Sequence, residues 1–361
     1  MKKYTSGQIK ITQNLDRKNK ILNFLGFLLF LYLFLFSLVL IKNSFNEIGG
    51  HILKITRGNI NEINAFGFGW LLTLIMQSSG AATSALVALN FAGIIGPIVL
   101  IYMVIGTRIG TTITALFVAL LVSAKRRDFR HGFEIGLANL VYAFPIVIFM
   151  FFLEYFFSFF SKMGNYFIVS GVPFKITFID KITLPLINLI KFIPEYFLAL
   201  LGVFLLIFSL KKMPCFMLQL WGEDYLRKKI NKYFKNKYFS FFIGFLIAIF
   251  LTSTSITLIL LIPLIISRII NLKKVIPYII GTNLGGVVDA VIGGLVMGKT
   301  SLPAVFTYVS FSIIGLFWLL NIDLMFNITK FISKKTLHIS KKRAIFFVLF
   351  FILLALVLSL I

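Results

Sequence analysis

Two stretches of this chain, 175 positions apart, are versions of one another. Gly69 falls on Gly244, Leu86 on Leu261, Ile105-Gly106-Thr107 on Ile280-Gly281-Thr282, Gly110 on Gly285 and Ala115 on Ala290. No gap is needed over about 45 positions. The polar run Gln77-Ser78-Ser79-Gly80-Ala81-Ala82-Thr83-Ser84 has its copy at Thr252-Ser253-Thr254-Ser255-Ile256-Thr257. The surrounding chain is 59% hydrophobic and 13% charged. Several of its apolar runs exceed the roughly 18 residues that span a bilayer. An ungapped internal repeat in such a chain points to a transporter built from two related halves. The short alternating strands of a membrane barrel are absent from the sequence. The fold class is therefore an all-α polytopic membrane protein.

The apolar runs divide the chain. Residues 1–20 are basic, and 21–41 form a first span. That run is too long for a signal-peptide core and has no small-residue cleavage site. A first repeat covers 63–157: a broken apolar segment, 63–95, then spans at 96–122 and 132–157. A connecting region, 158–238, holds a span within 183–210 and a long basic loop. The second repeat, 239–320, has its broken segment at 239–270 and spans at 275–297 and 302–320. The last span is 344–361. Each arm of 63–95 is about 14 residues, or about 21 Å as helix, short of a roughly 30 Å hydrocarbon core. Two short arms with a polar middle fit a re-entrant hairpin.

Charge placement gives an independent orientation. The net charge of +24 resides in short connections between apolar runs, so it reads as topological sorting and not as a nucleic-acid surface. With the N-terminus in the cytoplasm, the inner connections carry 27 Lys and Arg and the outer ones eight. Three spans separate the hairpins, which puts them on opposite sides of the membrane, as in an inverted repeat. A multi-pass cell-membrane location follows. One cysteine, Cys215, and three scattered histidines offer neither a disulfide nor a metal cluster. No intramembrane acid–base pair marks an enzyme, and no cofactor is implied. Gly293–Thr300 matches the phosphate-loop pattern, but it ends a membrane span and lacks the strand before it, so it is set aside.

The polar residues suggest an anion site. A broken helix exposes backbone N–H groups at the start of its second arm, and these favour anions. Ser78, Ser79, Thr83, Ser253, Thr254 and Ser255 add hydroxyls there, and Gln77 adds an amide. Ser and Thr in membrane helices also bond to their own backbone, which is the plainer explanation of any one such cluster. Gly106 with Gly110, and Gly281 with Gly285, are small-residue packing motifs. Packing does not explain Arg108, about twelve residues into a span, or Asn283 at the same repeat position. A charge at that depth needs a polar cavity or a counter-charge. Asp289 is the natural ion-pair partner, and the transported anion is the alternative.

These residues resemble the type II sodium-dependent phosphate cotransporters and their bacterial relatives. That family carries Q-S-S-S and then G-x-N-I-G-T-T in both repeats. Gln77-Ser78-Ser79 and Gly106, Ile109-Gly110-Thr111-Thr112 carry the likeness, which covers about 63–122 and 239–298. The resemblance implies inorganic phosphate as substrate, sodium as coupling ion, and alternating access. It assigns phosphate to the hairpin residues, and Thr111, Thr112 and Asn283 to a cation. The departures are Gly80 for the third serine, Thr252–Ser255 for the second Q-S-S-S, Arg108 for an asparagine, and Gly286-Val287 for Thr-Thr. Arg108 in place of asparagine implies a fixed positive charge instead of one coupling cation, with weakened sodium dependence. A sodium-independent transporter of another anion, and a non-transporting scaffold or receptor, remain open alternatives.

Overall fold

The computed structural model describes residues 17–55, 60–76, 78–122, 126–169, 177–190, 192–221, 234, 236–259, 261, 270–337 and 341–361. Every regular element among them is helical. Five helical stretches are long and apolar enough to cross a membrane.

The repeat is reproduced in the helix boundaries. In the first half, α2 runs Glu62–Met76, α3 Ser79–Phe91 and α4 Pro97–Val122. In the second, α9 runs Lys237–Leu251, α10 Thr254–Ile259, α11 Leu272–Gly285 and α12 Val288–Met297. Adding 175 to the bounds of α2, to the start of α3 and to both ends of α4 gives the bounds of α9, the start of α10, the start of α11 and the end of α12. Local chemistry sets these limits. Pro97 opens α4 with a preset φ and no N–H to satisfy. Ser78, in extended conformation, caps α3 by accepting a hydrogen bond from Ala81 N at 3.2 Å. Gly93, at φ 74°, lets the chain turn after α3 without a Cβ clash.

Close contacts give the directions of the helices. Gly69 lies against Met103, Gly106 against Phe66 and Trp70, and Gly110 against Trp70 and Thr73. These pairings advance together along both chains, so α2 and α4 run parallel. The Thr83–Thr107 contact is centred on the α3–α4 loop, so α3 and α4 run antiparallel. Helices α2 and α3 are therefore the two arms of a hairpin. The second half repeats this: Gly244 on Tyr278, Gly281 on Phe241 and Phe245, Gly285 on Phe245 and Ala248. In each case a Cβ would overlap a backbone carbonyl of the facing helix, which is why glycine stands there.

Around this core, α1 (Arg17–Ile55) packs along α8 (Glu195–Trp221). Helix α5 (Arg126–Phe157) lies on α4, and α16 (Lys341–Leu360) lies on α2. Helices α6 (Phe159–Val169), α7 (Thr177–Ile190), α13 (Leu302–Ile314), α14 (Phe317–Leu320) and α15 (Ile322–Leu337) complete the described elements. Glu134 on α5 is buried and binds Lys330 Nζ at 2.7 Å and Ser333 Oγ at 3.0 Å, both on α15.

The span placed within 183–210 belongs to α8, which starts at Glu195 directly after Pro194. Two stretches read from sequence as single spans each lie within one stretch long enough to cross a membrane but are built from two helical elements. The stretch 275–297 breaks at Gly286-Val287, between α11 and α12. Gly286 has low helix propensity, and Thr254 Oγ1 approaches where its Cβ would stand. The stretch 302–320 breaks between α13 and α14 at Gly315, whose missing side chain makes room for Tyr142. The first span, read as 21–41, sits within a 39-residue helix that runs on to Ile55.

Candidate functional site

Arg108 sits near the middle of the 26-residue α4 and is 4% exposed. Its guanidinium carbon lies 4.2 Å from the centre of the Tyr308 ring and 4.1 Å from that of Phe311. Aromatic faces attract such a cation by their quadrupole. Its Nη2 donates to Ser312 Oγ at 3.2 Å. The Ser312 hydroxyl in turn donates to Asn283 O at 2.8 Å. Asn283 Nδ2 donates to Asn139 Oδ1 at 2.8 Å and to its own helix at Ile279 O. One polar chain thus links α4, α13, α11 and α5 through the two repeat-equivalent positions 108 and 283.

The first hairpin tip joins this chain, and the second bonds the backbone next to it. Ser79 Oγ is 2.8 Å from Tyr308 OH, which connects the first tip to the ring under Arg108. Thr254 Oγ1 donates to Thr282 O at 3.2 Å, beside Asn283. Ser78 caps α3. Ser253 is half-buried and Ser255 buried. At the second tip Thr252 closes α9 with φ 46°, a left-handed conformation that is strained for a β-branched residue. Gln77 lies outside the described residues.

The sequence-derived assignments divide. Arg108, Ser79 and Asn283 come together in one network, and Thr254 binds the backbone carbonyl of Thr282 beside it. Thr83 Oγ1 instead meets Thr107 Oγ1 at 3.4 Å. Thr111 and Thr112 bond to backbone oxygens of their own helix, Thr107 O at 3.5 Å and Ile109 O at 2.8 Å. That is the ordinary behaviour of a membrane-helix threonine. The expected Arg108–Asp289 ion pair is not formed: no nitrogen–oxygen contact within 4 Å joins them. The Arg108 head is taken up by Tyr308, Phe311 and Ser312, while Asp289 Oδ1 accepts from Ala290 N at 2.7 Å.

Several buried polar atoms have no hydrogen-bond partner among the described residues. They include Arg108 Nε, Asn139 Nδ2, Tyr142 OH and Ser255 Oγ. Each such atom costs on the order of 1–3 kcal/mol unless something satisfies it. Three of the four belong to the Arg108–Asn283 surroundings, since the Tyr142 ring packs on Phe311. A donor-rich, cationic lining of this kind suits an oxyanion.

A family model described as Na+/Pi-cotransporter matches residues 33–178 and 205–358. The chain belongs to that Na+/Pi-cotransporter family. Among curated proteins it is 34% identical over 108 residues to the sodium-dependent phosphate transport protein 2A of Oryctolagus cuniculus, covering 29% of this chain and 17% of that protein. It is 34% identical over 110 residues to the mouse protein of the same name, with the same coverage. It is 33% identical over 129 residues to the human sodium-dependent phosphate transport protein 2B, covering 33% of this chain and 19% of that one. The matched segment thus spans less than a fifth of these relatives. No solved structure matches the chain.

Against the family motifs, the residues that reading alone passed over are Asn139, Tyr142, Tyr308, Phe311 and Ser312. A signal existed. Tyr308 and Ser312 are polar positions four apart in an apolar span, and Asn139 is a lone amide in another. What sequence does not give is that all five gather around positions 108 and 283.

Proposed function

We propose that this chain is a secondary transporter that moves inorganic phosphate across the cell membrane with sodium, by alternating access around its two hairpins. The carrying observation is Arg108. It is buried at mid-helix, packed against two aromatic rings, and part of a network that reaches the first hairpin tip, with the second tip bonded next to Asn283. The names of the family and of its relatives supply phosphate and sodium. Arg108 acts as the anion's partner. Ser78, Ser79, Ser253, Thr254 and Ser255 with the hairpin backbones offer further donors, and Gln77 is the matching amide of the first motif. The protein does no covalent chemistry and holds no resident cofactor in this reading. Its N-terminus faces the cytoplasm, as the charge bias favours.

The substitution of arginine for the motif's asparagine refines the coupling. A guanidinium beside a site repels sodium, so Arg108 supplies one positive charge that the protein would otherwise import with the anion. Fewer sodium ions then accompany each phosphate. The hydroxyls of Thr111 and Thr112 donate to backbone oxygens and Asn283 donates through Nδ2 to Asn139, bonds that leave the oxygen lone pairs of all three residues for a cation. Labelled phosphate uptake into proteoliposomes, with sodium against choline, tests the reading. Steep sodium dependence through more than one site would contradict the role given to Arg108.

A further inference from the structure

The two tips differ at a pair of positions that meet in space. Gly80 in the first hairpin corresponds to Ser255 in the second, and Asp289 corresponds to Thr114. Helix α3 packs on α12, and there a Cβ on Gly80 would overlap the Asp289 carboxylate. So where one half has lost a side chain, the other half sends in a carboxylate. Asp289 is 3% exposed. Among the described residues, the charged or titratable groups around it are Arg108 of α4, which acts on it through space without an ion pair, and Tyr308 of α13. Helix α3 presents no titratable group. Lys299 lies beyond the far end of α12, after Gly298. One turn along the same crossing, Ser84 Oγ faces Gly293. It is 1% exposed and has no hydrogen-bond partner among the described residues.

We propose that the crossing of α3 and α12 is a binding site for a small monovalent cation, with the Asp289 carboxylate as charged ligand and the Ser84 hydroxyl as neutral ligand. This rests on the transport reading and names the cation's place within it. A buried carboxylate without an ion pair is costly, and hard oxygen donors suit a small hard cation. The anion then sits toward Arg108 and the cation toward Asp289. Sodium and a proton share this chemistry.

The test uses the full-length protein in detergent without phosphate. Thermal unfolding is followed in sodium chloride and in choline chloride, at acidic and at alkaline pH, for wild type, D289N, D289E and S84A. The wild-type melting temperature rises with sodium, and D289N loses that rise; this identifies sodium. A wild-type rise on acidification in choline, absent in D289N, identifies the proton. D289E keeps the response. If D289N does not fold, S84A carries the test for sodium, with its apparent sodium affinity falling severalfold, and D289E, which shifts the proton response without abolishing it, carries the test for the proton. A wild type indifferent to both ions, or a D289N protein that responds as wild type does, overturns the site. Failure of phosphate uptake would count against the transport reading alone, because the melting shift needs no phosphate.

Discussion

At the crossing of α2 and α4, Gly106 lies against the backbone of Phe66 and Trp70; at the crossing of α9 and α11, Gly281 lies against Phe241 and Phe245. The contacts are the same ones shifted by 175. The neighbouring threonines follow suit, Thr107 bonding Val104 O at 2.7 Å and Thr282 bonding Ile279 O at 2.8 Å. The tips depart from this likeness. Arg108 stands where the other half has Asn283, Gly80 where it has Ser255, and Asp289 where it has Thr114. Helix α4 is continuous where α11 and α12 are separate. The lesson is physical. Helix crossings tolerate no change because a methyl would enter a carbonyl, so both halves keep them. Side chains that line a polar layer are free to trade charge, provided that the trade balances within the layer: the halves together add one guanidinium and one carboxylate.

The largest expected effect tests the likeness. G106L and G281L both drive a branched side chain into facing backbone, and each costs at least about 3 kcal/mol, at or beyond the upper end of ordinary overpacking. Both variants lose monodisperse protein in size-exclusion chromatography. Tolerance of one but not the other would break the equivalence of the crossings.

Next comes the charge. R108M removes the cation and its bond to Ser312 while leaving apolar bulk between the rings. Phosphate uptake falls about tenfold to a hundredfold, the loss of one charged hydrogen bond of roughly 1.5–3 kcal/mol. The melting temperature moves little. R108N makes the first half like the second; its residual uptake depends more steeply on sodium than that of wild type.

The trade between Gly80 and Asp289 is sharpened by a pair. G80S collides with the carboxylate, destabilises the fold and lowers uptake severalfold. The double variant G80S/D289T, which gives each position the residue of its repeat counterpart, Ser255 in the second half and Thr114 in the first, recovers the loss in folding. A double variant that is as unstable as G80S would show that the collision is not what glycine avoids.

Outside the repeated core, E134Q weakens the tie from α5 to Lys330 and Ser333 of α15 and costs about 1–3 kcal/mol in stability, with uptake per folded molecule unchanged. The smallest effect is T112A. Its hydroxyl serves only its own helix, and uptake changes by less than about threefold.

Much of this was legible in the chain. The 175-residue shift and the short arms around Ser78 and Ser253 implied paired hairpins, because a polar break in an apolar run has few ways to sit in a membrane. Arg108 stood out for the same reason. The partner of Asp289 was not legible. Glycine at 80 reads as a packing residue until the carboxylate is seen against it, and the two are 209 positions apart. Tyr308 and Phe311 likewise look like core aromatics in sequence, and only their placement around a guanidinium gives them another role. The break at Gly286-Val287 depended on Thr254 arriving from another helix, which no local propensity encodes.

The most direct test of the central claim is labelled phosphate uptake into proteoliposomes of wild type and R108M, in sodium and in choline. Wild-type uptake that requires sodium with a shallow, single-site dependence, and that collapses in a folded R108M protein, is the expected result. Uptake unaltered by R108M would contradict the account, since the buried guanidinium would then be part of the scaffold and not of the path.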